Sequence, residues 1–116
     1  MSTGQQALIV PLALRWDQAR DQAHAWGGEL ASIHDATTLR ELQAMLRNWA
    51  ESPWVGLYRP AGESATWSDG SPHDFIKLHD NKRTLQLALF RNYAREVLED
   101  SERLPFFVVW NPPPSP

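Results

Sequence analysis

The chain has 116 residues, 42% of them hydrophobic and 22% charged, with a formal net charge of −3. That is one domain with a real core, without the basic excess that nucleic acid favours and without an apolar run of about 18 residues for a membrane-spanning helix. There is no cysteine, which excludes disulfides, thiolate chemistry, zinc-thiolate sites and iron–sulfur clusters.

In chain order, residues 7–14 (ALIVPLAL) predict an edge strand, because Pro11 cannot donate to a ladder. Trp16, Ala19, Ala23 and Trp26 recur at helical spacing, and Gly27-Gly28 ends that helix. Asp35 is placed to cap a second helix with the stripe Leu39, Leu42, Leu46 and Trp49, closed by Ser52-Pro53. WVGLY at 54–58 reads as a strand, and 59–72 is dense in turn formers. TLQLALF at 84–90 is a further strand. The stretch 91–100 is open between a helix and a hairpin turning at Asn92. PFFVVW at 105–110 is a buried strand, and 112–116 is a Pro-rich, polyproline-like tail. Helices grouped ahead of several strands define an α+β domain over residues 1–111. Its N- and C-terminal strands are similar in length and suited to pair. Most of the six tryptophans are expected in the core or at an interface, since truncating a buried one costs roughly 3–5 kcal/mol; Trp16, Trp26 and Trp54 are placed in the core by periodicity.

Four pieces in order, LRWDQARDQAHAWGGELASI, WVGLY, TWSDGSP and LPFFVV, resemble the C-type lectin-like domain. The resemblance spans about residues 14–72 and 103–109. It implies two helices packed on a small, mostly antiparallel sheet, with Leu30 and Ile33 pointing inward and Trp67 in the core beneath the loops. It also assigns the family's core disulfide to Ala23 and Val108, and a second one near Gln86 and Asp100. The first pair is apolar, so packing is expected to replace the bridge; the second is polar and expected at the surface. Losing two bridges removes about 2–4 kcal/mol each in entropy estimates.

Sugar-binding members resembling this chain hold calcium with a Glu-Pro-Asn or Gln-Pro-Asp loop and a Trp-Asn-Asp strand. Neither is present here: no proline lies between Pro72 and Pro105, and the strand positions read Arg95-Glu96-Val97. Calcium takes about six to eight oxygen ligands, so calcium-dependent sugar binding of the usual kind is not expected. Enzymes that make formylglycine share the broad fold, but their cysteines are missing.

His34-Asp35, His73-Asp74 and His79-Asp80 raise a metal site, which needs three or four converging ligands. Capping and turn-making account for them, and no metal or cofactor is assigned. No serine sits in a Gly-x-Ser-x-Gly setting, and Glu96, Glu99, Asp100 and Glu102 beside Arg95 and Arg103 read as a salt-bridged hairpin. No catalytic residue is assigned.

The expected function is therefore a non-enzymatic, calcium-independent binding module for a protein partner. The candidate contacts are Phe75, Lys77, His79, Asn81 and Arg83 in the loop HDFIKLHDNKR, joined by Tyr93 and Arg95 of the adjoining turn. Phe75, Tyr93 and Trp110 would form an interface patch if exposed together. Two alternatives are a glycan stacked on Trp67 or Tyr93 without calcium, and a homo-oligomer or a subunit of a phage or bacterial assembly docked through the tail. Nine arginines against two lysines fit such a source. An N-terminus without a positive signal region, and the lack of cysteine, place the expectation in the cytoplasm or a virion.

Overall fold

The computed structural model describes residues 4–79 and 82–110. The elements are β1 (Gln6–Leu14), α1 (Trp16–Ala25), β2 (Glu29–Leu30), α2 (Ala36–Ala44), β3 (Trp54–Arg59), β4 (Thr66–Trp67), β5 (Leu85–Leu89), β6 (Ala94–Val97) and β7 (Leu104–Trp110). They form an α+β fold around one sheet of order β1-β7-β3-β5-β6, with β2 added to β7 and β4 to β3. All pairings are antiparallel except β3 with β7.

The terminal strands pair, from Gln6 opposite Trp110 to Leu14 opposite Leu104. Pro11 is exposed and sits where the register shifts between Val10 and Leu14, so its missing N–H is removed from the ladder. β1 is an edge strand, as Pro11 requires.

Period-two alternation sends the strand side chains into two cores. Trp54, Ala88, Phe106 and Val108 pack with Trp16, Ala19 and Ala23 of α1. Val55, Leu57, Leu87, Leu89, Phe107 and Val109 pack with Leu42 of α2, Leu46 and Trp67. The two helices thus cover opposite faces of the sheet. Leu30 and Ile33, in the link between them, are buried one in each cluster.

Three expectations are corrected, and the alternative left open over residues 91–100 is decided. Trp26 is not core: α1 ends at Ala25, Trp26 leaves helical phase at φ −90° and ψ 6°, and its ring stays 44% exposed against Phe106. α2 stops at Ala44; Met45, Leu46 and Trp49 continue through i→i−3 hydrogen bonds that still turn Leu46 inward. The stretch after Phe90 is a hairpin, β6 lying antiparallel to β5. Gln86 is buried and not at the surface; its Nε2 donates to Asp100 Oδ1 at 3.0 Å. A hydrogen bond therefore stands where the resemblance assigns the second disulfide.

Asp35 caps α2 as expected, accepting from Thr38 N at 2.7 Å. That bond and the Thr38 side chain, then the nearby His34 and Arg40, hold its carboxyl below the ordinary aspartate value of 3.8, against the opposing effect of desolvation. A lowered folded value means the cap's contribution is complete above that pH and is lost as pH falls through the folded value. Asp35→Asn should keep the melting temperature near neutral pH and remove part of its decline in acid, whereas Asp35→Ala should lower it throughout.

Gly56, at the centre of WVGLY, shows why that motif needs a glycine. Its N–H donates to Ala31 O and its carbonyl accepts from Ser68 N, both at 2.8 Å. A Cβ there would meet Ser68 Oγ at 2.8 Å and the carbonyls of Ala31 and Leu30 at 3.2 Å. Gly56→Ala should cost about 1–3 kcal/mol in urea denaturation, because the neighbours are largely backbone.

Candidate functional site

The β5–β6 hairpin and the loop before it form the candidate surface. Phe90 N donates to Tyr93 O at 2.8 Å, closing a turn with Arg91 and Asn92 at its tip; Tyr93 is 51% exposed and leans on the Phe90 ring at 5.3 Å. Glu96 reaches from β6 to the loop: His79 N donates to its Oε2 at 3.2 Å, and His79 Nδ1 lies 2.5 Å from the same oxygen. Arg95 pairs with Glu102 at 2.5 Å. Arg83, Arg95 and Glu96 line one shallow cleft of about 280 Å³.

The structure therefore places Arg83 and Arg95 in one cleft beside β6 and ties His79 to β6 through Glu96. Phe75 and Lys77 are exposed on the loop that carries His79, and Tyr93 is exposed where the hairpin turn closes. Asn81, Asp80 and the tail 112–116 lie outside the described residues. Trp110 does not join a patch with Phe75 and Tyr93. It is half-buried, with its Nε1 bonded to Trp26 O.

Arg59 was not singled out by sequence, yet it anchors this loop. It ends β3 and is 8% exposed. Its Nε donates to Arg83 O at 3.3 Å and its Nη1 to His79 O at 3.2 Å, so one guanidinium pins both ends of the 79–83 segment. An arginine closing an apolar strand was the available signal. Arg59→Met should lower stability by about 1.5–3 kcal/mol and speed hydrogen exchange in the loop before it affects β7.

Of the His-Asp pairs, His34 of the first meets Asp74 of the second, while His79 turns to Glu96 and Asp80 lies outside the described residues. His34 Nδ1 is 2.7 Å from Asp74 Oδ1, and its Nε2 is 2.9 Å from Ser71 Oγ. This order of Ser, His and Asp has the outline of a nucleophile triad, invisible in sequence because its members are 37 and 40 residues apart. The protons run otherwise. Ser71 Oγ donates to Asp69 Oδ1 at 2.5 Å, so its proton is directed to that carboxylate and not to Nε2. Asp69 is disfavoured by burial, but the Ser71 hydroxyl and N–H, the Ser32 hydroxyl and His34 outweigh that and hold its carboxyl low. The network braces the 31–35 link against the 68–74 turn. His73 Nε2 bonds Ile76 O within its own loop. Among the described residues, no three His, Asp or Glu side chains gather as a metal-ligating group.

The positions at which the resemblance places calcium ligands do not fit that ion. Val97 is 3% exposed within the α1-side core, the Arg95 guanidinium is ion-paired, and Glu96 is committed to His79. Trp67 is 2% exposed, as expected of a core residue, and presents no face for a sugar to stack on.

With this geometry, the chain matches the Lectin C-type domain family over residues 13–94 and belongs to it. It is a C-type lectin-like domain, the class whose members bind glycans or proteins and which also contains antifreeze proteins. Human Lymphocyte antigen 75 is 24% identical over 111 residues, which is 89% of this chain and 6% of that protein. The chain thus spans only a small part of that relative. Among solved structures, Ovocleidin-17, a major protein of the Gallus gallus eggshell calcified layer, is 25% identical with a TM-score of 0.77, over 91% of each chain. The mouse scavenger receptor C-type lectin carbohydrate-recognition domain gives 15% and 0.78, covering 98% of this chain and 94% of that one. A calcium-independent type II antifreeze protein gives 20% and 0.76, covering 93% and 87%.

Proposed function

We propose that this domain is a non-enzymatic, calcium-independent binding module that takes a protein partner through loop 73–83 and turn 91–95. The observation that carries the reading is the His79–Glu96 clamp, which holds the loop on β6 and makes loop and hairpin one presenting surface. Arg59 supports it from beneath. Exposed Phe75 and Tyr93 supply aromatic anchors among polar, adaptable neighbours. Calcium independence is supported by the apolar burial of Val97 and the ion pair of Arg95. The absence of catalysis is supported by Ser71, whose proton is directed to Asp69.

Replacing Phe75, Lys77 and His79 by alanine should abolish capture of the native partner while leaving the circular dichroism spectrum unchanged. Undiminished capture would sink the site. Retention of a defined sugar on a glycan array in the presence of chelator would favour the glycan alternative, with Tyr93 as its platform.

A further inference from the structure

A second feature lies on the other side of the hairpin turn. Arg40, Arg47 and Arg91 line one cleft of about 490 Å³ together with Gln43, Ala44 and Asn92, and no carboxylate lines it. Two come from α2 and the turn after it, the third from the β5–β6 turn. All three are exposed, and none is among the ion pairs formed by the described residues. The main partner of Asp35 is the Thr38 N–H, and Arg40 comes last among the groups that lower its pKa.

The cleft is held open by contacts that leave charge to spare. Gln43 Nε2 donates to Phe90 O at 3.2 Å, joining α2 to the hairpin. Arg91 lies 4.7 Å over the Phe90 ring, and its Nη1 reaches Trp49 O at 3.5 Å. A chain of net charge −3 thus gathers three guanidiniums in one groove with no carboxylate among its lining residues. Such a groove is electrostatically incomplete until an anion fills it.

We propose that this cleft docks an acidic segment of the protein partner, with Arg40, Arg47 and Arg91 each taking carboxylates. The guanidinium fork matches a carboxylate in two parallel hydrogen bonds. The lining offers mainly donors, the only side-chain acceptors being the amide oxygens of Gln43 and Asn92. Sugar hydroxyls, which need acceptors as well, are poorly served, whereas a run of glutamates or aspartates is well served. Tyr93, next along the chain from Asn92 and half exposed, adds an aromatic contact at the edge of the turn. The inference rests on the protein-binding reading and extends it to the partner's chemistry.

The test is calorimetric titration of the full chain with acetylated, amidated hexaglutamate at low and at physiological salt, beside a heparin-derived hexasaccharide. Hexaglutamate is expected to bind, to weaken steeply with salt, and to lose at least tenfold in affinity in R47Q/R91Q. R40Q/R47Q, which removes no side-chain hydrogen bond among the described residues, should lose as much, and R103Q should lose nothing. The loop alanine variant should still bind hexaglutamate. No binding by the wild type, or binding by both double variants as tight as by the wild type, overturns the proposal. So does heparin binding through these arginines when hexaglutamate does not bind. If native-partner capture needs residues 75–79 but not the arginines, this inference fails while the loop reading stands.

Discussion

Trp54→Ala is expected to destabilise the domain by about 3–5 kcal/mol, the largest loss from any single truncation considered for this chain. Trp54 is fully buried where β3 meets both β5 and the parallel strand β7, opposite Ala88 and Phe106. Its ring fills the α1-side core, and its Nε1 donates to Leu14 O at 2.8 Å, tying the centre of the sheet to the end of edge strand β1. Alanine would leave a cavity where neighbours are fixed by ladders on both sides, and it would orphan a half-buried carbonyl. Trp54→Phe separates the two losses: it keeps most of the ring volume and should cost distinctly less. Urea midpoints at constant slope measure both. A loss under about 1 kcal/mol for alanine would mean that this layer can collapse, contrary to its position in the sheet.

The opposite effect is expected from pairing two cysteines, Ala23→Cys with Val108→Cys. The resemblance places the family's core disulfide at these positions. Both residues are fully buried in the same cluster, and Gly28 lies against each. Its N–H donates to Ala23 O at 2.9 Å, and a Cβ on it would meet Val108 Cγ1 at 2.8 Å. The bridge would close a loop of roughly 85 residues, for which the chain-entropy relation gives about 4–5 kcal/mol and engineered bridges return less. A gain of about 2–4 kcal/mol under oxidising conditions, lost on reduction, is the expected result. Failure to cross-link, or a gain unaffected by reductant, would show that packing in this chain has moved the two positions apart.

Where a signal was local, the sequence read well. Helix periodicity located Trp16, Ala19 and Ala23, Asp35 announced its cap, and the run PFFVVW announced β7. Trp26 misled because it shares the stripe of α1 but follows its last helical residue, and only the Gly27 turn at φ +78° shows where the phase breaks. Gln86 misled because a polar residue in a strand was read as exposed, while its amide is kept inside by Asp100. The loop could be singled out by composition. Its anchoring could not, since Arg59 and Glu96 lie about twenty residues from the atoms they hold. The arginine cleft is assembled from α2 and a hairpin turn more than forty residues later, and an overall net charge of −3 conceals it.

The measurement closest to the central claim is capture of the native partner by the immobilised domain, once with calcium and once with chelator, comparing wild type with the Phe75, Lys77 and His79 triple alanine variant. Equal retention of one protein under both conditions, and its loss with the variant, is the result expected. Retention that requires calcium, or that survives the loop substitutions, would contradict the account.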